Sequence, residues 1–467
     1  MVNVESEPAV SGGLAASAPK AGDASRTRTV LLVILVAVLL QGAAWLFIYQ
    51  VPVAHGWGYT LWPGDDRSYY AGVGDLARAR QWAYADFPFE YPPLALVLFE
   101  VPPLNGTLLE YEHWFSIEMI LIGGLSAVVT AAVATRLWAG LRRPLSAVAA
   151  LALATVAAGA LAAGRFDGAV ALIVVLAVLC MVYRRWVLAG LAVGLGFSLK
   201  LMPIVLLPLV LILAARRRSV WLALLAAVLA ALLPFAPFLL HDAGGVKSSL
   251  FGAQVTRGLQ IESMAATPYL VVAAARGGDL RIVIPQGESV QVIGPGSLTV
   301  GNAAPLAVAV LLLVVYAGVW RSRRRLRADL SWVAPASLAV MLATLCGNKV
   351  LSPQHLLWTL PLVALCLVDE RTLPRVAGAL MLVALLLTQI EYPALYSRLP
   401  DHAVSPLVVI AARNVVLLAA FVLATLALWR ARESVPALAA SRVEAFAETG
   451  GPRETSTPAA PSGAKAS

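Results

Sequence analysis

The sequence predicts an all-α polytopic membrane protein with about twelve transmembrane helices, and three observations carry that expectation. Sixty per cent of the 467 residues are apolar and only 13% are charged. Mean hydropathy is +0.80. The 35 Lys and Arg residues fall mostly in short clusters between apolar runs. A water-soluble domain could neither bury nor expose so much apolar surface, so the bilayer is the main solvent. The net charge of +9 would suggest nucleic acid on a soluble chain. Its placement here fits membrane topology instead, because loops retained in the cytoplasm are rich in Lys and Arg, and no nucleic-acid partner is expected.

Residues 1–28 combine Ala, Gly, Ser, Pro and charge without apolar periodicity and are expected to form a disordered cytoplasmic tail. The first apolar run, 29–50, follows Arg26 and Arg28 like the core of a signal peptide. It is long enough to span and has no convincing cleavage site, so it reads as an uncleaved first helix. Further runs follow at 112–136, 145–164, 167–183, 186–199, 201–215, 219–240, 303–320, 330–346, 354–369, 373–391 and 405–429. Residues 431–467 form a second tail, leaving 29–430 as the transmembrane domain. With both termini cytoplasmic, the inward loops hold Arg136, Arg142 and Arg143; Arg184 and Arg185; Arg216 to Arg218; Arg321 to Arg327; Arg371 and Arg375; and Arg430 and Arg432. Several runs between 145 and 215 fall short of the ~20 residues a full span needs, which predicts broken, tilted or re-entrant helices there. Cys180, Cys346 and Cys366 have no paired spacing, so neither disulfides nor a metal site is expected.

This orientation leaves two long loops outside the cell, 51–111 and 241–302, where polar chemistry can be assembled above the helices. In the first, Asp65 and Asp66 open a segment with Tyr69, Tyr70, Val73, Leu76 and Ala77 at helical spacing, an amphipathic helix on the membrane surface. Either aspartate caps that helix or one accepts a proton from a substrate hydroxyl. Asp86 and Glu90 follow, then Tyr91-Pro92-Pro93 leads into an apolar stretch too short to cross.

Charged groups recur at the outer ends of later helices. Arg165 and Asp167 pair with each other or face a ligand, whereas Lys200 and Lys349 have no adjacent acid and suggest an anion. A charge at the bilayer centre costs about 2.5–3.5 kcal/mol, so such residues call for a role. In the second loop Arg257 and Gln260 share a helical face, with Glu262 as a surface partner for Arg257 or the guanidinium gripping a phosphate.

Six segments in order resemble the actinobacterial membrane glycosyltransferases of family 87. That family lies in the C-type superfamily, which includes polyprenyl-phosphate-mannose-dependent mannosyltransferases. The segments are Asp66 with Tyr70; Tyr84-Ala-Asp86-Phe and Glu90-Tyr91-Pro92-Pro93; Gly164-Arg165-Phe166-Asp167; Leu199-Lys200-Leu-Met-Pro203; Arg257 to Ser263; and Lys349 to Gln354. The resemblance runs from about residue 30 to 430. It implies a bundle of the C-type glycosyltransferase fold and an inverting transfer of a sugar, with mannose the favoured candidate, from a polyprenyl-phosphate donor to a glycan or glycolipid hydroxyl. It implies Asp66 as the general base, with Asp65 the alternative. No cofactor and no divalent metal are implied. Lys200, Arg257 and Lys349 then hold the donor phosphate, and Tyr70, Asp86, Glu90, Arg165, Asp167, Gln260, Glu262, Gln354 and His355 line the substrate site. His355 stands where related chains carry an aromatic residue; it touches the donor or is a satisfied helix-end histidine. The competing classes are a transporter or flippase of lipid-linked sugars, which would favour a midplane site between repeated halves, and a noncatalytic scaffold. Outward-crowded polar residues and the lack of an evident repeat favour the enzyme.

Overall fold

Every apolar run predicted to span forms a helix. The computed structural model describes residues 21–54, 66–103, 106–252, 257–277, 280–283, 289–399 and 403–431. Among these, 7 helices are long and apolar enough to cross a membrane: Ser25–Ile48, Leu108–Leu137, Arg217–Leu250, Ser297–Arg321, Leu330–Gly347, Thr372–Arg398 and Val404–Arg430. Shorter apolar helices fill the stretch where short runs were expected, at Asp167–Val182, Trp186–Leu199 and Met202–Leu213, and a further one covers Pro353–Leu367. Residues Arg142–Ala158 form one more helix. Sheet is confined, in the described residues, to one two-stranded antiparallel pair, Ile282–Val283 with Gln291–Val292.

The helices overrun the predicted loop and tail boundaries. The first extends over Ala21–Ala54, taking up part of the predicted tail. Residues 1–20 and 432–467 of the two tails, and Asp65 in the first loop, lie outside the described residues. In the second predicted loop the incoming span runs to Leu250, the outgoing one starts at Ser297, and an apolar helix, Met264–Ala275, lies between them. Hydropathy marks where apolar residues stop, whereas a helix continues until its terminal N–H and C=O groups find other partners. Thr107 shows such a stop: its hydroxyl accepts from the Glu110 amide at 3.3 Å while the Glu110 carboxylate accepts from the Thr107 amide at 2.6 Å, closing a capping box.

Close helix contact depends on small residues. A Cβ at Gly190 would stand 2.1 Å from the Ala223 carbonyl oxygen, and one at Gly194 would stand 2.2 Å from that of Ala227. Glycines four apart therefore let Trp186–Leu199 lie directly against the backbone of the Arg217–Leu250 span.

The alternation of the helices sorts the charges. Asp167 opens Asp167–Val182, which leads away to Arg184 and Arg185; Trp186–Leu199 returns to Lys200, and Met202–Leu213 leaves again toward Arg216 to Arg218. The same alternation puts Asn348, Pro353 and Tyr392 at the Lys200 end, and Arg327 and Arg371 at the other. At that other end Arg184 donates to the Arg327 carbonyl at 2.7 Å, Arg327 donates to the Ile212 carbonyl, and Arg371 donates to the Ser331 carbonyl.

Candidate active site

At the Lys200 end of the bundle lies a cavity of about 660 Å³, whose walls include Asp66, Glu90, Arg165, Lys200, Arg257, Gln260, Glu262, Gln354 and His355. These residues run from position 66 to position 355, so only the tertiary fold brings them together. The amphipathic helix predicted from Asp66 is present as Asp66–Arg78, and the short apolar stretch after it forms Pro93–Glu100. Tyr70 anchors the first of these. It stacks on Phe99 with centroids 4.3 Å apart and packs against Phe115 and Phe166. Arg67, also fully buried, reaches Glu112 at 3.5 Å and Ser116 at 3.4 Å in the helix Leu108–Leu137. With these two residues facing inward, Asp66 stands at the helix start over the cavity.

Each cavity cation already holds a carboxylate, and the pairs cross between segments. Arg165 pairs with Asp66; its side chain is 7% exposed against 40% for the aspartate. Arg165 also donates to the Tyr392 hydroxyl at 3.0 Å. Lys200 donates to Asp167 at 2.7 Å, and the Trp358 indole N–H donates to the same Asp167 oxygen at 2.6 Å. Lys200 lies 4.6 Å from the centroid of the Phe166 ring and 5.4 Å from that of Trp358, inside an aromatic cage. Arg257 donates to Glu90 at 2.9 Å. The two neighbour pairs that the sequence left as alternatives, Arg165 with Asp167 and Arg257 with Glu262, are not formed; cross-segment pairs stand in their place. The reason is geometric: Arg165 precedes the helix that Asp167 opens, so the two side chains diverge.

Burial tunes these groups. It lowers the Lys200 ammonium below its ordinary range, with the Asp167 charge pulling in the opposite direction. Burial, then the Glu90 charge, push the Tyr69 phenol up to about 12, so it remains a proton donor at the cavity wall. Tyr91 is raised by burial, then by Asp167 and Glu90.

Four predicted substrate or phosphate ligands, Tyr70, Asp86, Lys349 and Asp167, stand outside the cavity wall. Tyr70 is 1% exposed and belongs to the aromatic cluster. Asp86 accepts from the Trp82 amide at 2.6 Å and closes an exposed turn. Lys349 donates to the backbone carbonyl of Arg257 at 2.5 Å, so it steadies the arginine from behind. Asp167 is fully buried beneath Lys200. Gln260 is engaged at both ends of its amide: its oxygen accepts from Leu351 N–H at 2.6 Å, and its nitrogen donates to Glu262 at 2.6 Å and Ser352 at 3.1 Å. His355 packs at a tilt against Trp358, with ring centroids 4.5 Å apart. Among the described residues no group of three or more His, Cys, Asp or Glu side chains is arranged to hold a metal ion.

Sequence reasoning missed Trp358, Tyr392, Glu391 and Arg413. Glu391 and Arg413 sit within apolar runs that were taken only as spans. The signal was available, since an ionisable residue inside a span is costly enough to require a partner.

The fold and the site define an integral membrane protein with a polar, charge-paired cavity at one end of its helices. Residues 89–274 match the model of Glycosyltransferase family 87. The resemblance read from the motifs holds. The matched stretch contains Glu90, Arg165, Asp167, Lys200, Arg257 and Glu262, while Asp66 and the 349–355 segment lie beyond it. A solved structure, ArnT from Cupriavidus metallidurans bound to undecaprenyl phosphate, is similar at 16% identity and a TM-score of 0.44, covering 90% of this chain and 80% of that one. At that score the two chains share too little geometry for residue-by-residue transfer. No curated protein matches the chain.

Proposed function

We propose that the protein moves a sugar, mannose first among candidates, from a polyprenyl-phosphate donor to a hydroxyl of a glycan or glycolipid. The cavity then faces the extracytoplasmic side and both termini face the cytoplasm. What supports the reading is the convergence of Asp66, Arg165, Lys200 and Arg257 on one cavity at the end of the bundle away from the arginine clusters. Arginine-rich ends mark the cytoplasmic face.

The chemistry follows from the charges. The acceptor oxygen attacks the anomeric carbon, the bond from that carbon to the phosphate oxygen breaks, and the configuration inverts. Negative charge grows on the leaving phosphate, where Lys200, Arg257 and Arg165 stabilise it, with Lys349 acting through the Arg257 backbone. Asp66 takes the acceptor proton. A carboxylate is a weak base toward a sugar hydroxyl, so positioning and late proton transfer supply much of the rate. In the resting site Asp66 is held by Arg165, and a donor phosphate that competes for the guanidinium leaves the carboxylate free to act. This reaction calls for no cofactor and no divalent metal.

The test is direct assay. Protein reconstituted in lipid nanodiscs with polyprenyl-phosphate-mannose and a glycolipid acceptor is expected to yield a mannosylated product of inverted anomeric configuration. Movement of intact donor across a vesicle bilayer without sugar transfer would instead assign the cavity to a flippase.

A further inference from the structure

Behind the cavity wall lies a cluster that the proposed chemistry does not use. Glu262, in the wall, and Glu391 and Arg413, behind it, are each 0% exposed. Arg413 Nη1 lies 2.9 Å from Glu391 Oε2 and 3.9 Å from Glu262 Oε1, so both carboxyl groups flank one nitrogen. The Oε1 atoms of both glutamates are buried without a hydrogen-bond donor. One guanidinium neutralises one carboxylate. A second charged carboxylate at that depth would go uncompensated, at a cost of several kcal/mol. A single proton held between the two carboxyl groups resolves the charge and both orphan oxygens together.

The cluster also joins the two arms of the site. Arg413 donates to the Glu262 carbonyl at 2.5 Å, and Asn414 donates to the Ser263 carbonyl at 3.1 Å and the Thr267 hydroxyl at 2.8 Å. These bonds pin the loop that carries Arg257 and Gln260 to the last helix, Val404–Arg430. Glu391 precedes Tyr392, the partner of Arg165, at a point where the helix breaks: Tyr392 has φ −123° and ψ 122°.

We propose that Glu391 and Arg413 are positioning residues, forming with Glu262 a neutral buried cluster that holds one proton and fixes the Arg257 loop and the Tyr392–Arg165 arm against each other. This deepens the glycosyltransferase reading of the cavity and rests on it for the functional arm alone. Burial first, and Glu391 next, raise Glu262 well above the usual carboxylate range, as a shared proton requires. The other ionisable or charged groups in electrostatic reach of the cluster among the described residues are Arg165, Tyr392, Tyr396 and His355. Loss of the proton at alkaline pH puts two carboxylates on one guanidinium and loosens the loop.

Infrared difference spectroscopy of wild type against Glu391→Gln tests the proton without reference to activity. The expected spectrum loses one protonated-carboxyl band and no carboxylate band; loss of a carboxylate band overturns the proposal. Binding of sugar-free polyprenyl phosphate, followed across pH, tests the positioning. Wild type is expected to weaken at least tenfold above the pH that bleaches the band, whereas Glu391→Gln, whose amide supplies the hydrogen bond at every pH, stays within about twofold of neutral wild type. Glu391→Ala is expected to bind weakly at all pH values. An alkaline limb in Glu391→Gln identical to that of wild type overturns the positioning role. If the lipid fails to bind wild type at all, the glycosyltransferase reading falls, and the infrared result still decides the shared proton.

Discussion

The two ends of the helical bundle carry the same kinds of residue in opposite settings. At the cavity end Lys200 and Asp167 meet with side chains 12% and 0% exposed. At the far end Arg143 pairs with Glu370, with side chains 40% and 66% exposed. Water and salt screen the second pair, so it contributes little, whereas the first has exchanged hydration for a few fixed partners and is costly to leave half-made. In the proposed reading, charge at the far end sets orientation and charge at the cavity end sets chemistry.

Removing one member of each pair breaks that comparison most sharply. Asp167→Asn strands a buried ammonium and is expected to lower unfolding stability by about 3–5 kcal/mol, measured by chemical denaturation in detergent. Lys200→Ala has the complementary defect, leaving Asp167 with only the Trp358 N–H. Next in size is Gly194→Ala, where the new Cβ meets the Ala227 carbonyl and forces the two helices apart. A loss of about 1–3 kcal/mol in the same assay is expected from overpacking. Smallest is Arg143→Ala, expected to change stability by less than about 1 kcal/mol. Equal losses for Asp167→Asn and Arg143→Ala would dissolve the distinction between the two ends. On donor binding the order is set by reach: Arg257→Ala is expected to weaken polyprenyl-phosphate affinity more than Lys349→Ala, because the lysine acts through the arginine backbone. The reverse order, seen by titration, would return Lys349 to direct contact.

The architecture was legible because the bilayer writes itself into sequence as apolar runs punctuated by arginine. Arg184, Arg216, Arg327 and Arg371 marked the far end before any contact was known, and Asp66, Glu90, Lys200 and Arg257 marked the cavity end. The pairing of charges was not legible. Arg165 lies two residues from Asp167, yet it meets Asp66, because a helix start at Asp167 turns the two side chains apart. Glu391 and Arg413 went unread for a different reason. Neither has an opposite charge within four residues in sequence, and only the packing of three separate segments brings them to Glu262. Tyr70 and Asp86 show the converse: motif position placed them near the site, but one packs into aromatic core and the other closes a turn.

The most direct measurement is the pair of constants for Asp66→Asn in reconstituted protein: donor affinity and single-turnover transfer rate. The amide removes the proton acceptor and frees Arg165 for the phosphate, so donor affinity equal to or tighter than wild type is expected, with transfer slowed by about 10²–10⁴-fold. Transfer at the wild-type rate in that variant would contradict the assignment of Asp66 as the base.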